Sequence, residues 1–137
     1  MGDLSRNFSS REFYSQDTFQ KLKSSGRNPA WYIDSRLVDI LQDLRDKFGR
    51  IDINMPNRGL ERRGFRSFGE AMDVNPRTAE WGFHRFGHAA DISSPTVEPK
   101  VIQNYLRNRY NNIGLGLGET FTHIDTRNTR QLIEFSY

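Results

Sequence analysis

The stretch from Ile33 to Phe48 constrains the fold more than any other part of this 137-residue chain. Ile33, Leu37, Ile40, Leu41, Leu44 and Phe48 recur at three- and four-residue steps and so share one stripe of a helix. Gly49 follows where such a helix would close. A helix with a single apolar stripe must lay it against a partner layer. Ile51 to Asn54 alternates like a short strand, and Ala89-Ala90-Asp91-Ile92 reads as a second. Ile113 to Leu117, Phe121 to Thr126 and Gln131 to Phe135 supply three more. Near the start, Ser9-x-x-Glu12 has the form of a capping box, opening a short helix to about Ser24. Turn signals follow at Ser24-Ser25-Gly26 and Asn28-Pro29. Another helix is expected from about Glu98 to Tyr110, with Val101, Ile102, Tyr105 and Leu106 inward. Helices first and strands mostly later predict an α+β fold: a small, largely antiparallel sheet with helices packed on one side.

The length suits one domain over 1–137. Only 35% of the residues are hydrophobic, but ten Phe can still fill a small core. No apolar run approaches the ~18–20 residues of a membrane span. There is no cysteine, which excludes disulfides, thiolate-bound zinc and a thiol nucleophile. Met1-Gly2-Asp3-Leu4-Ser5-Arg6 has no apolar signal core, and Arg6 stands where myristoylation needs Ser or Thr. The net charge of +3 suits an acidic polymer without implying specific nucleic-acid binding.

Residues 55 to 82 show no clean period and are rich in Gly, Arg and Asn; a loop of this length is expected to be functional or flexible. Beyond it lie the chain's three histidines, His84, His88 and His123. Histidine is the commonest metal ligand, and a catalytic zinc takes three protein ligands with a fourth position open. His84-x3-His88 has the spacing of the helical zinc-peptidase motif. However, Arg85 occupies the glutamate position, and Gly87 with Ala89-Ala90-Asp91-Ile92 reads as turn into strand. His84 and Asp91, either side of the Gly87 turn, make the better pair, and His123 on a later strand can complete the set.

These blocks resemble a known family. His84-x6-Asp91 with Gly87 and Ala89 between, followed by His123-x-Asp125, is similar to the zinc D-Ala-D-Ala carboxypeptidases and the phage L-alanyl-D-glutamate endopeptidases. The resemblance extends to Leu4-Ser5-Arg6-Asn7-Phe8-Ser9 with Glu12-Phe13, to Leu37 through Gly49, and to Ile53-Asn54-Met55-Pro56-Asn57-Arg58. Gly114 and Phe121-Thr122-His123-Ile124-Asp125-Thr126-Arg127 complete it. It implies a hedgehog/D-Ala-D-Ala peptidase-like fold and zinc held by His84, Asp91 and His123. It also implies a substrate carboxylate or carbonyl on Arg58 and hydrolysis of an amide in the peptidoglycan stem peptide. The expected setting is a phage or prophage lysis enzyme: a monomer without a leader, held in the host cytoplasm until holin-type release or carried in a virion.

The chain also departs from the family pattern. Gly82 replaces the Ser two residues before the first His, and Thr120 stands where many relatives have a Glu three before the last. Two carboxylates remain for the general base. Glu119, four before His123, would be about 13 Å away on an extended strand and serves only if the chain turns near Gly118. Asp125 shares a strand face with His123 and either acts as base or orients a ligand imidazole. Glu119 is preferred as base and Asp125 as support.

His88 reads as a surface or supporting residue. Arg62, Arg63 and Arg66 beside Arg58 can form a solvated basic loop, while Trp81, Phe83 and Phe86 line a groove or pack beside the metal. Gly114-x-Gly116-x-Gly118 lacks the ending of a phosphate loop and reads as strand and turn. The competing reading is a non-catalytic virion or wall-binding protein on the same fold.

Overall fold

The structure is a computed structural model and describes residues 2–14, 16–53 and 87–137. The Ser9–Glu12 capping box forms, with Ser9 N donating to Glu12 Oε2 at 2.8 Å. It opens only a 3-10 turn, Ser10–Phe13, rather than a helix reaching Ser24. Tyr14 interrupts: its backbone is extended, its ring is buried, and its hydroxyl donates to Pro29 O at 2.5 Å. Helix α1 then spans Gln16–Ser24. A second 3-10 turn, Pro29–Tyr32, leads to α2, Ser35–Phe48, which Asp34 caps by accepting from Arg36 N. Ile33 is thus buried but lies outside the helix whose stripe it begins. Gly49, at φ 83°, closes α2 in a conformation that strains other residues.

Helix α3, Pro99–Arg109, buries Ile102, Gln103 and Leu106. Val101, expected inward, is 48% exposed: one residue turns the helix by about 100°, off the line of Ile102 and Leu106. Tyr105 meets Phe48 edge-on, and its hydroxyl reaches Asp43 at 3.0 Å. Tyr110 donates to the other oxygen of Asp43 at 2.7 Å, tying α2 to the end of α3.

The strands are β1 (Asp52–Ile53), β2 (Ala89–Ser93), β3 (Gly114–Leu117), β4 (Thr122–Asp125) and β5 (Ile133–Ser136). They form one sheet ordered β1-β2-β4-β3-β5. The β1–β2, β2–β4 and β3–β4 pairs are antiparallel, as expected, but β3–β5 is parallel, so the sheet is mixed. The reason lies in the placement of β5. It reverses direction after β4 yet docks one position further out, on the far side of β3.

Pairing partners share a face, so the register sorts the side chains. Ile53, Ala90, Ile92, Leu115 and Ile124 join one hydrophobic cluster with Leu37, Leu41 and Leu44 of α2 and Ile102 and Leu106 of α3. Glu134, on the same face through Leu115, is ion-paired with Arg107 of α3. The opposite face carries Asp91, His123 and Asp125. Buried Gln103 pins the β3–β4 hairpin from the helical side, donating to Gly118 O at 3.2 Å and Thr122 Oγ1 at 3.1 Å. Among the described residues, no helix is long and apolar enough to cross a membrane.

Candidate functional site

The antiparallel pairing of β2 with β4 sets Asp91 directly opposite His123. Both are buried, and His123 Nδ1 lies 3.1 Å from Asp91 Oδ1. The other ring nitrogen, Nε2, lies 2.8 Å from Oδ2 of Asp125, two residues along the same strand face. Asp125 is fully buried and is gripped in turn by Arg127, whose Nε and Nη2 donate to Oδ1 and Oδ2, each at 2.7 Å. Such a two-pronged bond fixes both distance and orientation. The result is a continuous row: Asp91, His123, Asp125, Arg127.

Glycines make the room. Gly114 and Gly116 pair with Asp125 and His123 respectively, so their missing side chains would point at this row. A Cβ on Gly114 would lie within 2.5 Å of both Asp125 oxygens and 2.5 Å from Arg127 Nε. One on Gly116 would lie 2.7 Å from His123 Cβ and 2.9 Å from Phe135 Cε2. Phe135, which β5 brings beside Gly116, packs its ring 5.4 Å from that of His123 and lies beneath the Arg127 guanidinium.

The electrostatics follow from the contacts. Burial alone would raise the Asp125 pKa, but hydrogen bonds from Arg127 and His123 outweigh it and hold the carboxyl well below its ordinary range. Burial alone would lower the His123 pKa; its bonds to Asp125 and Asp91 reverse that and raise it. The site thus favours an ionised Asp125 and a protonated His123.

Of the residues expected from the sequence, Asp91, His123 and Asp125 come together. His84 and Arg58 lie outside the described residues, as do Arg62, Arg63, Arg66, Trp81, Gly82, Phe83 and Phe86. Glu119 sits on the tip of the β3–β4 hairpin, exposed, where the chain turns after Gly118. His88 is a half-exposed neighbour of the site: its Nδ1 lies 3.4 Å from Thr126 Oγ1 and 3.5 Å from Asp34 Oδ2. Thr126 in turn donates to Asp34, the cap of α2. Sequence reading passes over Arg127 as a site residue, although a guanidinium two positions beyond Asp125 is a usable signal.

Among the described residues, no three His, Asp or Glu side chains are gathered as a metal site, the third expected ligand being outside them. The pair that is present is of donor types that zinc accepts, an imidazole nitrogen and a carboxylate oxygen. Two donors 3.1 Å apart approach the edge, roughly 3.3 Å, of a tetrahedral site with zinc bonds of about 2.0–2.1 Å. No protein-family model, curated protein or solved structure matches the chain.

Proposed function

We propose that this chain is a zinc-dependent peptidase that hydrolyses amide bonds of the peptidoglycan stem peptide, within the lysis system of a phage or prophage. The observation that carries this reading is the cross-strand pair of Asp91 and His123, with the second nitrogen of His123 occupied by Asp125. A ligand imidazole backed by a carboxylate is the usual arrangement at protein zinc sites. The hedgehog/D-Ala-D-Ala peptidase-like fold belongs to the same proposal. It is supported by a sheet whose one face packs on helices while the other carries the ligands.

His84, Asp91 and His123 would hold the ion. Zinc, when bound, lowers the pKa of a water molecule and polarises the amide carbonyl. The chain's own groups divide the remaining work. Both Asp125 oxygens already accept hydrogen bonds, from Arg127 and His123, so this carboxylate holds and does not shuttle protons. Glu119, exposed at the tip of the β3–β4 hairpin, would take a proton from water and deliver it to the leaving amine. Arg58 would bind a carboxylate or carbonyl of the substrate.

The test is mass spectrometry of defined murein fragments digested with zinc-loaded protein, alongside metal analysis. About one zinc per chain, a released amine, and loss of both with the His84→Ala/His123→Ala double variant are expected. Undiminished hydrolysis by that double variant would refute the proposal. Zinc and murein binding without any released amine would instead identify a non-catalytic wall-binding protein.

A further inference from the structure

Arg127 grips Asp125, and Asp125 in turn meets Nε2 of His123. An imidazole on a strand can rotate about two bonds, and either nitrogen can be the one that carries hydrogen. Asp125 bears on both choices at Nε2, as Asp91 does at Nδ1, and a carboxylate fixes a ring only if it is itself immobile. A lone aspartate would not be. Here the guanidinium fork occupies one lone pair on each oxygen, and the Arg127 amide adds a third bond to Oδ1 at 3.3 Å. The fork is held from the other side by the Phe135 ring, 5.6 Å from the guanidinium carbon. Gly114 leaves the floor beneath carboxylate and guanidinium open.

We propose that Arg127 is a positioning residue for the metal: by locking Asp125 it fixes His123 with Nε2–H on Asp125 and Nδ1 turned to Asp91, so that both donors face one divalent ion. The inference rests on the zinc reading above and adds to it the atom that binds and the residue that chooses it. An ammonium cannot replace the fork, because a lysine offers one point charge where two parallel bonds are needed.

The test uses the full chain labelled with nitrogen-15, metal-free and with zinc alone added, comparing wild type, Arg127→Ala and Arg127→Lys. Long-range proton–nitrogen correlation spectra of the imidazoles report which nitrogen carries hydrogen, and chelator competition reports zinc affinity. In wild type with zinc, His123 is expected as the Nε2–H form with Nδ1 on the metal. Arg127→Ala should weaken zinc binding by about 10- to 100-fold, the usual cost of losing a residue that supports a ligand. It should also mix the two imidazole forms.

Arg127→Lys, which keeps the charge, should recover only part of the affinity; should Arg127→Ala fail to fold, this variant carries the test. Wild-type affinity and a single Nε2–H form in Arg127→Lys would overturn the proposal while leaving the zinc reading intact. If wild type binds no zinc, the zinc reading fails. Slow exchange of the His123 Nε2 hydrogen in metal-free wild type, lost in Arg127→Lys, then still upholds the Arg127 lock, and its absence overturns it.

Discussion

Substituting Gly114 by alanine isolates the packing of the candidate site from its chemistry. Gly114 lies in a strand and not among the positive-φ glycines, so alanine is compatible with its backbone and the cost is purely steric. Considered alone, the change should stabilise by about 0.4–1 kcal/mol, because it narrows the unfolded ensemble. The new methyl, however, falls within 2.5 Å of both Asp125 oxygens, whereas ordinary contact begins near 3.4 Å. The carboxylate must retreat by about 1 Å, which carries bonds of 2.7–2.8 Å out of hydrogen-bonding reach on at least one side. A hydrogen bond to a charged group is worth about 1.5–3 kcal/mol. The net expectation is a loss of about 0.5–2.6 kcal/mol. Urea denaturation of the metal-free protein reads this as a lower midpoint at unchanged slope. The loss should shrink when Gly114→Ala is made in an Arg127→Ala background, since the methyl then evicts a pair already broken. Stability equal to wild type, or additive losses in the double variant, would refute the reasoning.

Three further outcomes are expected. Glu119→Gln, an exposed change, should leave stability within about 0.5 kcal/mol and zinc binding intact, while murein turnover falls by about 10²–10⁴-fold; Asp125→Asn should instead weaken both stability and zinc binding. Turnover silenced by Asp125→Asn with zinc and stability retained, and unaffected by Glu119→Gln, would reassign the base. The Tyr110 hydroxyl, pushed up to about 12 by burial and by its bond to Asp43, favours the protonated form in the fold. Its contribution is therefore complete below the ordinary tyrosine pKa near ~10 and disappears as pH rises through about 12. Denaturation across that interval should show a loss that Tyr110→Phe reduces. Gln103→Leu leaves Gly118 O and Thr122 Oγ1 without their buried donor and should cost about 1–3 kcal/mol. Hydrogen exchange should then quicken first in the β3–β4 hairpin.

The parts legible in the sequence are those that local periodicity encodes. The α2 stripe and its closing glycine could be read directly because burial along a helix repeats every few residues. Strand positions were legible as short runs bounded by turn residues, since β2 and β4 are buried throughout and show no alternation. Their order was not: whether β5 joins β4 or β3 depends on a crossover that leaves no local trace. Tyr14 broke the first helix through a bond to Pro29, fifteen residues on, which no capping rule contains. In the site, the convergence of Asp91 and His123 was legible through the family resemblance. The spacing leaves Glu119 and Asp125 both open as base, and nothing local in it shows that both Asp125 oxygens are already engaged by His123 and Arg127. Gly114 and Gly116 read only as strand and turn, since their purpose lies in residues paired across from them.

Strand β4 carries Thr122 and Ile124 on its inner side and His123 and Asp125 on its outer side, with no third side available. A one-residue slip of β4 against its two neighbours would turn Ile124 out of the hydrophobic layer and drive an imidazole and a carboxylate into it. The register of β4, not the length of the tip before it, is what this layering holds fixed.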